Sequence, residues 1–320
     1  MKLKWHKWTH WEYWPSYIIY LPSFFMWLWW SVKFGRINFY KYLNPSIKNG
    51  GLWGDGKMEV YNMLPEGTFP RTLLVSQMAS YMVIDKRKLY QLNFPLVIKP
   101  NVGLRGKGVS IVNSDEVLLH YSLSAEKEFL IQEFSPFQKE LGIFYYRMPN
   151  EKTGKISGIT IKEFLTVTGD GCSTLHELLS NDPRYKMQIP KLKRITNLME
   201  ILPKNESRCV VPFGNHNRGT KFLDGKHLIT PELESLINDV MSGLKEFYYG
   251  RLDLRYNSIE ELIHERKFCI IEINGAKSEP THIYDPKHSF WYGQKEIIRH
   301  QLILKEIIAQ NLEKSIISKS

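Results

Sequence analysis

Cysteine is scarce in this chain. Cys172, Cys209 and Cys269 form an odd, widely spaced set with no CxxC pair. That excludes a disulfide framework and leaves no thiolate set for structural zinc, so a reducing compartment is the expectation. No HExxH motif is present, and His176, His216, His264 and His300 show no paired metal spacing. There is no GxxxxGK[ST] loop and no GxGxxG opening a helix, which removes the Walker and Rossmann nucleotide sites. Repeats and low-complexity tracts are absent after residue 70. What is present is globular: 43% hydrophobic and 24% charged residues over 320 positions. This excludes a disordered chain, a collagen-like repeat and a multi-pass membrane bundle, and leaves one large domain or two modest ones.

The charge is basic, +10 at pH 7. Basic chains bind nucleic acid, anionic lipid or small polyanions such as nucleotides. The excess is uneven, since residues 1–60 hold eight Lys/Arg against three acids. Eight of the nine tryptophans lie in residues 1–53. The aromatics gather in an uncharged run instead of interleaving with cations, so no nucleic-acid partner is expected.

That run is Tyr13 to Val32, YWPSYIIYLPSFFMWLWWSV. Twenty residues of helix would reach ~30 Å, one hydrocarbon thickness. Lys2, Lys4 and Lys7 precede it; Lys33, Arg36 and Lys41 follow. No small-x-small cleavage site suits a signal peptide. Pro15 and Pro22 interrupt a spanning helix, and Trp and Tyr prefer the headgroup level. Residues 1–43 are therefore expected to associate with an anionic membrane surface, spanning it or lying on it. A hydrophobic arm packed on the protein's own body or on a second subunit is the alternative. If the segment spans, its richer basic flank after residue 32 would hold the main domain on the cytoplasmic side. Residues 44–77 read as a Gly/Pro-rich connector with a short helix near 57–64. Its GGLWGDGK only loosely resembles a phosphate loop.

The body, residues 78–315, mixes elements irregularly and predicts an α+β fold. Expected strands are Phe94–Lys99, Gly108–Val112, Phe129–Glu133, Leu141–Tyr146, Gly158–Leu165, Arg251–Tyr256 and Phe268–Asn274. Helices are expected over 77–92, 116–123, in pieces over 173–200, from Pro231 toward Tyr248 with Thr230 as N-cap, and over 295–312.

Two clusters carry chemistry. Strands alternate faces, so Arg251, Asp253 and Arg255 share one face and Glu272 and Asn274 share another. A carboxylate inside FCIIEIN needs a partner, because burying an unpaired charge is costly. Either a cross-hairpin salt bridge to Arg251 or Arg255 supplies it, or Asp253, Glu272 and Asn274 form a hard-oxygen site suited to Mg²⁺ on substrate phosphates. The second cluster is FPLVIKPNVGLRGKGVSIV (94–112), a strand ending in Lys99 and then a glycine loop with two cations. Glycine lets backbone N–H groups approach phosphate oxygens, and cations supply countercharge.

In combination and order, these clusters resemble the ATP-grasp superfamily, in particular its carboxylate–amine ligases of the D-alanine–D-alanine ligase kind, over roughly residues 78–310. The resemblance implies two α+β subdomains clasping ATP, a small lobe over about 94–135 and a metal-binding lobe over about 140–312. It implies that Lys99 contacts phosphates and that the loop with Arg105, Gly106, Lys107 and Gly108 closes over them. It places Glu133 and Phe134 of FLIQEFS at the adenine hinge, Glu140 of KELGIFYYR at the ribose and Lys162 of ITIKEF at the phosphates. Asp253, Glu272 and Asn274 would hold one or two Mg²⁺ ions, with Mn²⁺ as a substitute, and Arg251 would stabilise transferring oxygens. The stretch VTGDGCSTLHELL (167–179) is similar to cyanophycin-synthetase-type members, with a helix capped near Ser173. Arg218, Lys221, Ser278, Glu279 and His282 are candidates for the substrate end. The implied activity joins a small carboxylate to an amine, or to a thiol, through an acyl phosphate. A kinase sharing the nucleotide site and a non-catalytic nucleotide binder are the alternatives. The chain departs from the family in its short leading segment and in NGAKSEPT (274–281), so substrate identity does not carry over.

Overall fold

The computed structural model describes residues 2–103, 108–193 and 195–317. The uncharged aromatic run does not form one long helix. After α1 (Lys2–Thr9) comes a single 3₁₀ turn at Trp11–Tyr13, then α2 (Ser16–Ile19) and α3 (Leu21–Lys33). Pro15 sits at the N-cap of α2 and Pro22 in the first turn of α3. Proline lacks an N–H, so it starts helices and divides this run in two. At 13 residues α3 is ~20 Å long, short of a ~30 Å bilayer core. Among the described residues no helix is long and apolar enough to cross a membrane.

The inner face of this segment packs on the body. Trp30, Phe39 and Leu43 join Leu304, Ile307, Ile308 and Leu312, and Ile19 joins Phe222, Ile283 and Ile297. The Trp27 indole donates to Gln301 Oε1 at 2.7 Å.

Residues 44–77 are likewise held to the body. Buried Asn44 donates to the carbonyls of Gly50 and Tyr249 and accepts from the amides of Tyr248 and Tyr249. Gly51 has φ +77° and lies so close to Gly275 that a Cβ would come within 2.7 Å of its Cα. Only glycine allows both that conformation and that approach. Helix α4 (Lys57–Tyr61) follows, and then β1 (Thr72–Val75), which is an edge strand of the first sheet.

That sheet runs β1-β4-β2-β3, with β2 at Leu96–Pro100, β3 at Ser110–Val112 and β4 at Phe129–Glu133, every pair antiparallel. Helices α5 (Val83–Leu89) and α6 (Asp115–Ser124) accompany it, and Val83 and Leu118 are buried with Leu96, Ile98, Phe129 and Ile131. The helix expected over 77–92 begins as a 3₁₀ turn at Gln77–Met82.

The second sheet is β11-β10-β5-β6-β9, also antiparallel: β5 Lys139–Tyr146, β6 Lys155–Glu163, β9 Lys221–Asp224, β10 Tyr249–Tyr256 and β11 Phe268–Asn274. Between β6 and β9 a small unit is inserted. It comprises β7 (Leu165–Thr168), α7 (Leu175–Ser180), α8 (Pro183–Lys186), α9 (Ile189–Leu192) and β8 (Ser207–Val211), with its own apolar cluster. Thr174, one residue past the expected cap, forms a capping box with Glu177. Helices α10 (Pro231–Met241) and α11 (Ile259–His264) cover one face of the second sheet, packing on Leu141, Ile143, Leu252 and Leu254. Thr230 caps α10 by accepting from the Leu233 amide. Helix α12 (Phe290–Ile317) covers part of the other face through Phe144 and Tyr249. Segregated helices on antiparallel sheets are the α+β class that the pattern predicts.

Candidate functional site

The two sheets face each other across a cleft of about 900 Å³. From the first sheet come Lys99, Gln132, Glu133 and Phe134. Lys99 is 6% exposed, and its Nζ donates to Tyr61 Oη at 2.9 Å, Gln132 Oε1 at 2.8 Å and the Ile271 carbonyl at 3.0 Å. That carbonyl is free because the β10–β11 ladder slips between Asp253 and Leu254, leaving Ile271 unpaired. Burial pulls the Lys99 ammonium down to about 8, against the opposing pull of Glu272. Gly103 and Val109 border the cleft at either end of the glycine loop. Arg105, Gly106 and Lys107 lie outside the described residues. Gly108 has φ +73° and turns against Pro100, and it does not line the cleft.

From the second sheet comes a row of charge set by register. Arg251 pairs with Asn274 and Asp253 with Glu272 across one ladder. On the other side Asp253 faces Gly142 and Arg255 faces Glu140, which in turn faces Lys162. Directly opposed residues share a face, so all of these point into the cleft. The missing side chain at Gly142 makes room: a Cβ there would lie 3.1 Å from Asp253 Oδ1 and 3.2 Å from Arg251 Cδ. Arg251 holds Asp253 in a two-pronged pair at 2.8 and 3.0 Å. Lys162 Nζ lies 2.6 Å from Glu140 and 3.1 Å from Asp253. Burial alone would push the Asp253 carboxyl up; Arg251 and Lys162 outweigh it and hold it below the usual range. Burial likewise pulls the Lys162 ammonium down, and Asp253 and Glu140 raise it above its ordinary value. Glu140 Oε2 accepts no hydrogen bond and has Arg255 Nε at 3.6 Å.

Hard-oxygen donors suit a divalent cation that phosphate oxygens help to ligate. Glu272 fits this use best. Its side chain is 33% exposed, and its ion pair with Lys57 is loose at 3.8 Å. The cross-hairpin bridge to Arg251 or Arg255 is therefore not what holds it. Asn274 lines the cleft on the same strand. Asp253 fits after giving up one of its two cationic partners. Among the described residues no three His, Cys, Asp or Glu side chains gather as a preformed metal cluster.

The substrate-end candidates divide. Arg218, Ser278 and Glu279 line the cleft. Ser278 Oγ accepts from the Arg251 amide at 3.2 Å, and the Glu279 carbonyl accepts from Arg251 Nη1 at 3.2 Å. Lys221 stands opposite Glu163 at the sheet's edge, outside the lining. His282 is 3% exposed, lies under Gly158 and pairs with Glu296 at 3.4 Å. Neither Lys221 nor His282 is brought to the cleft.

Several lining residues escape a reading by sequence pattern. Lys57, at the end of GGLWGDGK, reaches the carbonyls of Pro100 and Gly103 at 3.4 and 3.3 Å. Lys277 is pinned by Asp55 at 2.6 Å. Gly214 lies over the Glu140–Lys162 pair, where a Cβ would be 2.2 Å from Glu140 Oε1. The N-terminal segment forms one wall through Glu12, Tyr13, Trp14, Pro15, Ser16 and Ile19. Glu12 is buried there, paired with Arg184 at 2.7 Å and His216 at 2.9 Å. Only the glycine run before Lys57 carries a signal in sequence; the others become neighbours by folding.

No protein-family model matches the sequence, and no curated protein does. Among solved structures the chain is similar to a bifunctional glutathione synthetase from Pasteurella multocida, at 16% identity and a TM-score of 0.41, covering 76% of this chain and 35% of that one. It is similar to the VanG D-Ala:D-Ser ligase from Enterococcus faecalis at 12% identity and a TM-score of 0.41, covering 76% and 57% of the two chains. It is also similar to a D-alanine–D-alanine ligase from Bacillus anthracis at 15% identity and a TM-score of 0.43, covering 81% and 67%. The chain thus spans between about a third and two thirds of the length of these ligases.

Proposed function

We propose that this protein is an ATP-dependent ligase of the ATP-grasp type that joins a small carboxylate to an amine. The observation that carries this reading is the register of β10 and β11. It sets Arg251, Asp253, Glu272 and Asn274 on one face of a cleft, opposite the buried ammonium of Lys99.

Such a ligase needs no covalent protein nucleophile. It must hold reactants in line and neutralise developing charge. Lys99 and Lys162 are placed to hold phosphate oxygens, with Lys57 and Lys277 at the cleft margin. Glu133, the last residue of β4, and Phe134 just beyond it would flank a flat base. Glu272, Asn274 and Asp253 would hold Mg²⁺, which when bound draws negative charge off the phosphates. A carboxylate oxygen of the acid attacks the γ-phosphorus and ADP leaves. The amine nitrogen then attacks the acyl carbon, and inorganic phosphate leaves with the C–O bond electrons. Arg251 is fixed by Asp253 and by the Glu279 carbonyl, so its guanidinium is oriented before substrate binds and faces oxygens that gain charge in both steps.

The test has two stages. ATP titration by calorimetry, with and without Mg²⁺, is run on the wild type and on a Glu272→Ala/Asn274→Ala variant. Mg²⁺-dependent binding that the variant loses supports the site; no binding by folded wild type removes the reading. Hydroxylamine is then supplied with ATP and pools of carboxylic acids. Hydroxamate formation with stoichiometric phosphate release marks acyl-phosphate chemistry. Phosphoryl transfer to a hydroxyl acceptor, with ADP released and no free phosphate, would mark a kinase instead.

A further inference from the structure

Helix α3 has two apolar faces. The inner one is covered, with Trp30 only 3% exposed. The outer one carries Leu21, Phe24, Phe25, Leu28, Trp29 and Val32 at i, i+3, i+4, i+7, i+8 and i+11, each 50–75% exposed. Tyr17 and Ile18 of α2 extend it, and Ile37 stands 86% exposed beyond its far end. Isolated surface leucines need no explanation, but a contiguous aromatic stripe does, since soluble monomers seldom leave such a patch bare.

Charge decides what covers it. From Tyr13 to Gly54 there is no Asp or Glu, while Lys33, Arg36, Lys41 and Lys48 are all exposed. A second copy of this chain would bring the same cations and no countercharge to the contact. An anionic lipid surface supplies the countercharge, and it takes Trp and Phe at headgroup depth. The structure therefore points to peripheral docking, and we propose that α2 and α3 lie flat on an anionic membrane with this outer face down. Helix α2 ties that surface to the cleft. Its Ser16 and Ile19 line the cleft while its Tyr17 and Ile18 face outward. A docked bilayer would then lie about one helix diameter, ~10 Å, from the substrate wall. The proposal is independent of the ligase chemistry.

The test is sedimentation of the full chain with vesicles of phosphatidylcholine alone and of phosphatidylcholine mixed with phosphatidylserine. Two variant pairs accompany the wild type, Phe25→Ser/Trp29→Ser and Lys33→Glu/Arg36→Glu. All four positions are exposed and outside the cleft, and circular dichroism with a thermal melt checks folding. The wild type is expected to bind the anionic vesicles only. The aromatic pair should lose binding at least tenfold. Reversing two surface cations should weaken it at least about thirtyfold, the loss expected from their removal alone. Failure to bind anionic vesicles overturns the proposal. So does binding that neither pair weakens. Self-association abolished by the aromatic pair, without vesicle binding, assigns the face to a second copy and overturns it as well.

Discussion

Lys99 shows how burial tunes a single residue for anion binding. An ammonium held near pH 8 is mostly charged at pH 7 and mostly neutral at pH 9. If it must be charged to meet a triphosphate, ATP affinity should fall by about tenfold as pH rises from 7 to 9. Calorimetry across pH 7–9 reads this directly, and Lys99→Arg should flatten the profile. A flat wild-type profile would separate Lys99 from the phosphates. Lys162 is under tighter constraint, because it joins Glu140 and Asp253 where water does not reach. Lys162→Met should cost about 3–5 kcal/mol in denaturant unfolding, the usual penalty for stripping one partner from a buried ion pair. Asp253 has its folded pKa below the unfolded value, so its stabilising share exists above about pH 4 and fades as pH drops through the folded value. The loss on Lys162→Met should therefore shrink in acid, as the Asp253 carboxylate protonates.

At the scale of elements, helix α10 separates pattern from backbone. Leu244, Phe247 and Tyr248 continue its apolar spacing, and Leu244 and Phe247 are buried in the same core, yet the helix ends at Met241. Gly243 packs against the Met63 carbonyl, and Glu246 turns at φ +54°, which no helix tolerates. Burial periodicity outlasts the helix, and sequence pattern reads burial. The bounds of β4 and β11 were legible because both strands are apolar runs ended by polar residues. The contact of residues 50–51 with 275–277 was not, because it joins backbone to backbone. Gly51→Ala should destabilise by about 2–4 kcal/mol, combining left-handed strain with overpacking, and should loosen the Asp55–Lys277 pair. Denaturant titration checks the stability. The N-terminal segment has an equally local fastening. Glu12→Gln leaves the Arg184 charge buried without its carboxylate, so proteolysis within residues 2–19 should speed up while the body resists. Burial raises the Glu12 carboxyl, but its bonds to His216 and Arg184 bring the net below the ordinary value. The wild-type fastening should accordingly persist above about pH 4.5 and weaken as the medium turns more acidic.

Across the whole molecule, the cleft joins two sheets that make separate hydrophobic cores. A ligand held by both lobes must stabilise the pair. With MgATP at about 100 times its Kd, mass action adds about 2.7 kcal/mol, a rise of several degrees in Tm. The Glu272→Ala/Asn274→Ala variant should lose that rise while keeping its ligand-free melt. An unchanged wild-type melt at saturating ATP would mean that the lobes do not share the nucleotide.

The sequence by itself determined the α+β class, most strand positions, the Thr230 cap and the common face of Arg251, Asp253 and Arg255. These follow from alternation, capping and apolar runs, all of which act within a few residues. It also marked the first 43 residues as different material. Tertiary structure decided how that material divides, with one apolar face against α12 and the other left bare, and with Glu12 reaching the cleft. It decided that His282 belongs under Gly158 and Lys221 at the sheet edge, although both lie close in sequence to cleft residues. The physical reason is register. Which strands pair, and where a bulge slips the ladder at Ile271, sets which polar groups meet across the cleft. Those choices are made between residues about 20 positions apart in the β10–β11 ladder and more than a hundred apart in the β5–β10 ladder, where no local pattern reaches.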